Sequence, residues 1–266
     1  MTANKTLTAL IHYRALELLE SQGWPEHTDA VAVSAKWPCW LGICVRLNAG
    51  DLVRLLPKLA TQLVITEQQN KRLYRAVRKL RGTQAEMVLS LDQLVTPAVP
   101  GDNTLVTFPD AHQWLTDKEI QAVLNVMKSA IRKVCIQMLD DACLIQTAVM
   151  PSQQVKLFER KTRYFRVVAE ECDGESWFDA TDTEETDRVL DAILNKGARY
   201  GCVRLLVVNE LVGTVVAYED ISDVLRCPGQ SPRHWMCREA LHNVCSAARQ
   251  DVLSLLNAFR PFLHKV

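Results

Sequence analysis

Apolar residues recur at helical spacing in six stretches of this chain, separated by shorter apolar runs that are bounded by turn residues. The helical stretches cover residues 6–22, 51–61, 67–81, 117–150, 181–196 and 233–259. We expect the 117–150 stretch to form two helices around Asp140 and Asp141, and Pro261 to end the last helix. The shorter runs predict strands over residues 30–34, 40–47, 163–169, 176–179, 202–208 and 214–218.

The helix predicted over residues 67–81 has the clearest boundaries in the chain. Thr66 and Gln69 fit a capping box, in which each side chain satisfies a backbone N–H of the first turn, and Gly82 stands where a left-handed C-terminal cap belongs. At about 100° per residue, one arc of the helix collects four apolar residues: Leu73, Ala76, Val77 and Leu80. The opposite arc collects six basic residues: Lys71, Arg72, Arg75, Arg78, Lys79 and Arg81. The pattern therefore predicts one buried face and one basic face that meets solvent or a partner.

The pattern changes after Pro151, where strands become more frequent than helices. Asp173-Gly174 predicts a hairpin turn, because glycine accepts a positive φ. Thr181 and Glu184 fit a second capping box, which opens a helix that ends at Gly197. The resulting order, ββαββ, predicts a small α+β unit.

Together these elements predict an α+β protein with a mainly helical N-terminal part, a small ββαββ-like unit and a C-terminal helix. The corresponding regions are residues 1–150, which include a short β element near 30–47, residues 151–222, and residues 223–266, whose helix packs back on one of the other two. The loop over 97–103, which contains proline and glycine, is a further candidate boundary. A single shared core is the alternative, because 266 residues fit either one large domain or two smaller ones.

Composition narrows the class of protein. The chain has 31 basic and 31 acidic residues, so its net charge of zero gives no overall field that would favour nucleic acid or a membrane. No apolar run approaches the ~20 residues that cross a bilayer, and the first residues lack the continuous apolar core of an export signal. Nine irregularly spaced cysteines then favour reduced thiols. We expect a cytoplasmic protein with no membrane partner.

Charge is nevertheless sorted into blocks along the chain. The first block is the basic arc over residues 71–81, and the second is a run of five basic residues: Lys156, Arg160, Lys161, Arg163 and Arg166. Acidic residues follow between positions 170 and 187. Two positive blocks beside a negative one favour a protein that binds something charged.

We expect a non-catalytic binding or accessory subunit that uses both basic blocks, 71–81 and 156–166, against an anionic partner. This partner is either nucleic acid or an acidic protein surface, and phosphate contacts would make the affinity salt-dependent. Self-association is a variant, in which the acidic residues of one copy meet a basic block of another. The ordinary alternative is that a solvated helix face and an edge strand carry these charges without a partner.

The best candidate for a metal site is a Cys/His group near the C-terminus: His234, Cys237, His242 and Cys245. On one helix the members of each pair are one turn apart, but the two pairs are about 12 Å apart along the axis. Zinc ligands lie ~2.0–2.3 Å from the metal, so each pair would need partners from elsewhere. Such partners could be Cys39, Cys44 or Cys202. A zinc protein or a Cys/His enzyme is therefore one alternative function, and buried thiols that fill a helix face are the structural one.

Familiar catalytic motifs are missing from the sequence. It has no GxxxxGK[ST], GxGxxG, GxSxG or HExxH pattern. We therefore assign no catalytic residue and expect no cofactor other than zinc at the Cys/His group. A protein–protein scaffold is the third function class, and it differs from a nucleic-acid binder because its association would persist at high salt.

Overall fold

The computed structural model describes residues 3–32, 41–91, 104–151, 155–174, 176 and 178–263. The chain divides into two compact units: Thr8–Cys143, and Met1–Leu7 together with Leu144–Val266. Each unit contains a four-stranded antiparallel sheet and helices, so the predicted α+β class with a C-terminal helix is confirmed. No helix of the described residues combines the length and the apolar character that a bilayer crossing needs.

The unit of residues 8–143 contains more β-structure than the sequence predicts. Its elements are α1 (Ala3–Ser21, which begins in the other unit), β1 (Asp29–Ala32), β2 (Leu41–Asn48), α2 (Ala49–Gln62), α3 (Glu67–Leu80), β3 (Glu86–Leu91), β4 (Thr104–Thr107), a short 3-10 helix (Ala111–Gln113) and α4 (Asp117–Val149, which ends in the other unit). The sheet order is β1-β2-β3-β4. The β element expected near 30–47 is thus half of a sheet whose β3 and β4 were not predicted. Residues 33–40 and the predicted loop over 97–103 lie outside the described residues.

Local sequence explains why α2 and α3 begin where they do. Asn48 and Asp51 form a capping box at the start of α2, with hydrogen bonds of 3.0 and 3.2 Å. The capping box predicted for α3 is confirmed: Gln69 N donates to Thr66 Oγ1 at 3.3 Å, and Thr66 N donates to Gln69 Oε1 at 3.0 Å. The predicted apolar arc of α3 is buried, and α3 packs against α2. The basic side of α3 is therefore left on the surface.

α4 is one helix of 33 residues, where the sequence predicts two. Neither glycine nor proline interrupts it, so nothing in the backbone forces a break at Asp140 and Asp141. Asp140 is exposed, and the Asp141 carboxylate accepts a hydrogen bond from Arg14 Nε at 2.8 Å. Both acidic residues therefore lie within the helix without ending it.

The second unit follows the predicted ββαββ order. Its elements are β5 (Lys156–Lys161), β6 (Phe165–Cys172), α5 (Thr183–Lys196), β7 (Arg199–Asn209), β8 (Val215–Arg226), a short 3-10 helix (Pro232–His234) and α6 (Arg238–Leu263). The strands pair in sequence order, all antiparallel. α6 lies on one face of this sheet, where Ala240, Val244 and Ala248, each four residues apart, pack on a core that includes Val203 and Leu205.

Two predicted boundaries in this unit are wrong. The first hairpin turns at Thr162, whose Oγ1 accepts a hydrogen bond from Phe165 N at 3.1 Å, so a hydroxyl closes the turn without a glycine. Asp173-Gly174 instead follows β6, and the described residues of the predicted return strand, 176, 178 and 179, are not in a strand.

The helix boundaries also shift by a few residues. α5 is capped by Asp182, whose Oδ1 accepts from Glu185 N at 3.1 Å, one residue later than the predicted box of Thr181 and Glu184. α6 begins at Arg238, after the 3-10 helix, and includes Pro261. Because Pro261 lies in the last turn, its missing N–H removes one hydrogen bond without ending the helix earlier.

Candidate functional site

The exposed side of α3 carries cations that are left unpaired. Arg72, Arg75 and Arg78 have no carboxylate within ion-pair distance in the part of the chain that the structure describes. Successive members are three residues apart, which is about 4.5 Å along the axis. We call these three residues the arginine face. Arg81, which follows the helix, shares this lack of a carboxylate partner among the described residues.

The two lysines of α3 are bound to carboxylates. Lys71 pairs with Glu67 one turn earlier, and Lys79 donates to Glu119 at 2.7 Å. The Glu119 side chain is only 7% exposed, and it also accepts from the backbone and the hydroxyl of Thr116 at 2.9 and 2.8 Å. Burial raises the pKa of Glu119, but Lys79 and Thr116 together bring it below its ordinary value of 4.5. Lys79 is therefore a structural cation that holds the start of α4.

The second basic block lies on β5, β6 and the turn between them, and most of it is neutralised. Lys156 Nζ lies 3.1 Å from the Glu159 carboxylate. Arg166 lies 3.2 Å from Glu159 and 3.1 Å from Glu210, and Lys161 also pairs with Glu210. Hydrogen bonds from Lys156 and Arg166 lower the pKa of Glu159, so the carboxylate is charged at neutral pH. We call the five cations of 156–166 the β5–β6 basic segment.

The rest of this segment offers little that could stack on a base. Arg160 is exposed and has no carboxylate partner among the described residues, and the Arg163 guanidinium lies 5.1 Å from the Tyr164 ring centroid. Phe158 and Phe165 are half-buried against the core beneath α6. One exposed tyrosine, already covered by an arginine, is not a stacking platform.

Several acidic residues that follow the segment serve the fold of their own unit. The Glu171 side chain is only 4% exposed and accepts from Arg199 at 2.6 and 2.7 Å, while Arg226 pairs with the same carboxylate. Asp182 caps α5, and Glu185 pairs with Arg188. Fewer acidic groups are therefore left for a second copy than the sequence suggests.

The four predicted metal ligands do not converge. His234 belongs to the 3-10 helix, Cys237 precedes α6, and His242 and Cys245 lie on α6, so one helix does not carry all four. None of them belongs to the three-donor cluster that the described residues form. Of the partners considered, Cys39 lies outside the described residues, Cys44 lies on β2, and Cys202 has another neighbour.

That neighbour belongs to a group that sequence analysis missed. Cys172 ends β6 and is the direct Cα partner of Cys202 on β7, with 3.0 Å between the Sγ atoms. Asp220 on β8 places an oxygen 4.0 Å from Cys172 Sγ, and its two oxygens accept from Arg204 at 2.7 and 2.8 Å. Burial is the largest cause that raises the pKa of each thiol. These three donors could hold a metal ion, and the pairing register of β6 and β7 is the signal that would have found them.

A β-bulge places a polar network next to these thiols. Asp223 has a φ of 57° where β8 bulges opposite β7, which turns its carboxylate toward two hydroxyl groups. Ser176 Oγ donates to it at 2.6 Å and Tyr200 Oη at 3.1 Å, and Thr6 Oγ1 donates to Ser176 Oγ at 3.1 Å. The cavity between this network and the thiols is about 20 Å³, room for about one water molecule. It therefore admits no substrate of ordinary size.

A larger polar cleft, about 370 Å³, lies in the unit of residues 8–143 beside the turn that follows α1. Its lining includes Trp24, His27, Asp51, Arg54 and Lys58. The buried Asp51 carboxylate already accepts from Arg54 at 2.9 Å and from the start of α2. Its charge is thus used to begin and hold a helix, so it is not left for a ligand of the cleft.

Comparison with known proteins places both parts of the chain. Residues 4–145 match the family model described as the N-terminal domain of YubG, and residues 154–263 match the one described as the C-terminal domain of YubG. No solved structure matches the chain. The first family model alone spans more than half of the sequence. The chain therefore belongs to the YubG family.

Proposed function

We propose that this protein is a non-catalytic binding subunit that contacts the phosphate backbone of nucleic acid through the arginine face of α3. The observation that carries the proposal is the lack of any carboxylate partner for Arg72, Arg75 and Arg78 among the described residues, on a helix whose two lysines are both paired. Unpaired guanidinium groups keep their charge and their hydrogen-bond donors for an external anion.

The chemistry of the side chain also supports a phosphate partner. A guanidinium presents five donors in a planar fork that matches phosphate oxygens in a bidentate way, and it stays charged at every physiological pH. Such contacts position a partner and supply affinity, whereas base identity would need further groups. The partner we propose is therefore bound with little sequence preference.

The β5–β6 basic segment is proposed as a weaker, second contact. Glu159 and Glu210 neutralise three of its five cations, which leaves Arg160 and Arg163 to meet an anion. The cytoplasmic location that the sequence favours is compatible with a nucleic-acid partner and remains part of the proposal.

The proposal is tested by fluorescence anisotropy with labelled single- and double-stranded oligonucleotides at 50 and 200 mM salt. Three phosphate contacts predict a log–log salt slope of about −2.7 on duplex DNA, so affinity should fall roughly 40-fold between these concentrations. Reversal of the arginine face, Arg72→Glu with Arg75→Glu and Arg78→Glu, should weaken binding by at least about 100-fold at 50 mM salt. The corresponding Gln variant should keep weak binding with a nearly flat salt slope.

A matched control carries the same charge change elsewhere. Arg233, Arg238 and Arg249 are exposed, lie outside both basic blocks and have no carboxylate partner among the described residues. Their reversal to Glu should leave affinity within about threefold. Equal loss in both triple variants, or no binding of either oligonucleotide at 50 mM salt, would contradict the proposal. Competition by poly-L-glutamate at equal charge would point instead to an acidic protein surface.

A further inference from the structure

We propose that Cys172 and Cys202 form a reversible dithiol/disulfide couple that hydrogen peroxide oxidises. The two residues face each other directly across β6 and β7, and their Sγ atoms lie 3.0 Å apart. Neither sulfur is part of a disulfide in this structure. A disulfide needs Sγ atoms ~2.05 Å apart, so closure requires a movement of about 1 Å.

The strand geometry makes this movement easy for one partner. Cys172 is the last residue of β6, so the chain after it is not held by the sheet ladder. Gly174 lies over the second sulfur: a Cβ at this position would come within 2.3 Å of Cys202 Sγ. The glycine therefore leaves the space in which the sulfur of Cys202 sits beside Cys172.

Exposure decides which thiol reacts first. Cys172 is half-buried, whereas Cys202 is buried at 8% exposure. The adjoining cavity of about 20 Å³ has room for about one water-sized molecule. In the first step the thiolate form of Cys172 attacks one oxygen of the peroxide, the O–O bond breaks, and the departing hydroxide takes up the proton that the thiol released, which gives a Cys172 sulfenic acid and one water. In the second step Cys202 sulfur displaces hydroxide from that sulfenic acid, its proton leaves with the hydroxide as a second water, and the S–S bond forms.

The alternative interpretation of the cluster of Cys172, Cys202 and Asp220 is a metal site, and the contacts of Asp220 oppose it. Both carboxylate oxygens of Asp220 are engaged by Arg204, which would have to release one of them for a metal ion. Two thiols without a free third donor are better suited to each other than to a metal.

The bond would close a loop between two residues 30 positions apart, and this loop contains α5. Cross-linking a loop of this length restricts the unfolded chain, so oxidation should raise the Tm by roughly 5–10 °C. The couple would thus stabilise the second unit under oxidising conditions without any change in its fold.

The full chain is treated with one equivalent of hydrogen peroxide, alkylated and digested for mass spectrometry. We expect a cross-linked peptide pair containing positions 172 and 202, the loss of two titratable thiols, and the rise in Tm, all reversed by dithiothreitol. Cys172→Ser should remove the cross-link and the Tm shift. The control Cys237→Ser, an exposed thiol outside the cluster, should behave like the unaltered protein.

Three results would overturn the proposal. The first is that Cys172 and Cys202 are alkylated independently after oxidation. The second is that the dominant cross-link joins other cysteines. The third is that the protein binds one equivalent of zinc, which protects both thiols from alkylation and is no longer bound by Cys172→Ser. The last result would make the cluster a metal site. Because the mass measurement uses the unaltered chain, a variant that fails to fold would not obscure the outcome.

Discussion

The two basic blocks look alike as sequence and differ as surfaces. α3 and the residue that follows it carry six cations, and the β5–β6 basic segment carries five. On α3, Arg72, Arg75 and Arg78 have no carboxylate partner among the described residues, whereas on β5 and β6 the lysines and Arg166 are held by Glu159 and Glu210. The sequence of a basic block therefore gives only the number of cations. The structure is needed to find how many of them have no carboxylate neighbour and can bind an external anion.

The difference has a simple origin in secondary structure. A helix with a basic arc turns its apolar arc to the core, and its cations then extend into water. On α3 only Lys79 meets a carboxylate from another element among the described residues. In a sheet, each cation has cross-strand and turn neighbours that can carry the opposite charge. Glu210 is such a neighbour: it lies in the turn after β7 and meets Lys161 and Arg166 from the adjacent hairpin.

The largest effect, on the free energy of unfolding, should come from replacing Lys79, the lysine of α3 that pairs with Glu119. Lys79→Met leaves the buried Glu119 carboxylate without its counter-ion, so we expect a loss of about 2 kcal/mol in the free energy of unfolding at pH 7. Urea unfolding measures it. Arg75→Met is the matched control on the same helix, since this side chain is exposed and unpaired among the described residues, and it should change the value by less than about 0.5 kcal/mol.

The pH dependence sharpens that prediction. Since the folded pKa of Glu119 is lowered below its ordinary value of 4.5, its stabilising contribution is present above that pH and is lost as pH falls through the folded pKa. The difference between the unaltered protein and Lys79→Met should therefore shrink as the pH falls below 4.5. A difference that stays constant from pH 7 to pH 3 would mean that the ion pair is not its source.

A smaller effect, on oligonucleotide affinity, should come from removing a carboxylate that neutralises the β5–β6 basic segment. Glu210→Gln removes the negative charge that pairs with Lys161 and Arg166 but keeps a side chain that can accept hydrogen bonds. We expect oligonucleotide affinity at 50 mM salt to rise about 3–5-fold. Glu184→Gln, an exposed acid at the start of α5, makes the same change in net charge and should have less effect. Equal gains in the two variants would show that only net charge matters.

The smallest effect should come from the cations of that segment that carboxylates leave unpaired. Arg160→Glu with Arg163→Glu should weaken oligonucleotide binding by less than about threefold, because the neutralised neighbours add little field around them. If this variant lost as much oligonucleotide affinity as the variant with the reversed arginine face, the two basic blocks would contribute equally. The difference that we infer between them would then be wrong.

Local signals in the sequence were sufficient where the structure depends on neighbouring residues. The capping box of Thr66 and Gln69 and the buried arc of α3 could be predicted because both depend on residues within one or two turns. The same logic misplaced the hairpin at Asp173-Gly174, since a good turn dipeptide can also begin a loop, while Thr162 closes the actual turn through its hydroxyl.

The candidate sites depend on contacts between residues that are far apart in the sequence, and the local sequence pattern does not predict such contacts. Glu210 neutralises cations 44 or more positions earlier in the chain, and Cys172 meets Cys202 only because β6 and β7 pair in one particular register. A shift of one residue would turn one of the two thiols to the opposite face of the sheet. The spacing of cysteines along the chain therefore could not predict this pair, although Cys172 ends one strand and Cys202 lies in another.

The hydroxyl contact between Thr6 and Ser176 joins residues 170 positions apart, and the unit that contains both also includes Leu144–Val266. On a ribosome that adds 5–20 residues per second, Thr6 waits roughly 10–30 s for its partner to be made. The stretch from Thr8 to Cys143 has been synthesised before then. The contact of Thr6 with Ser176 therefore forms only after the whole stretch from Thr8 to Cys143 has been synthesised.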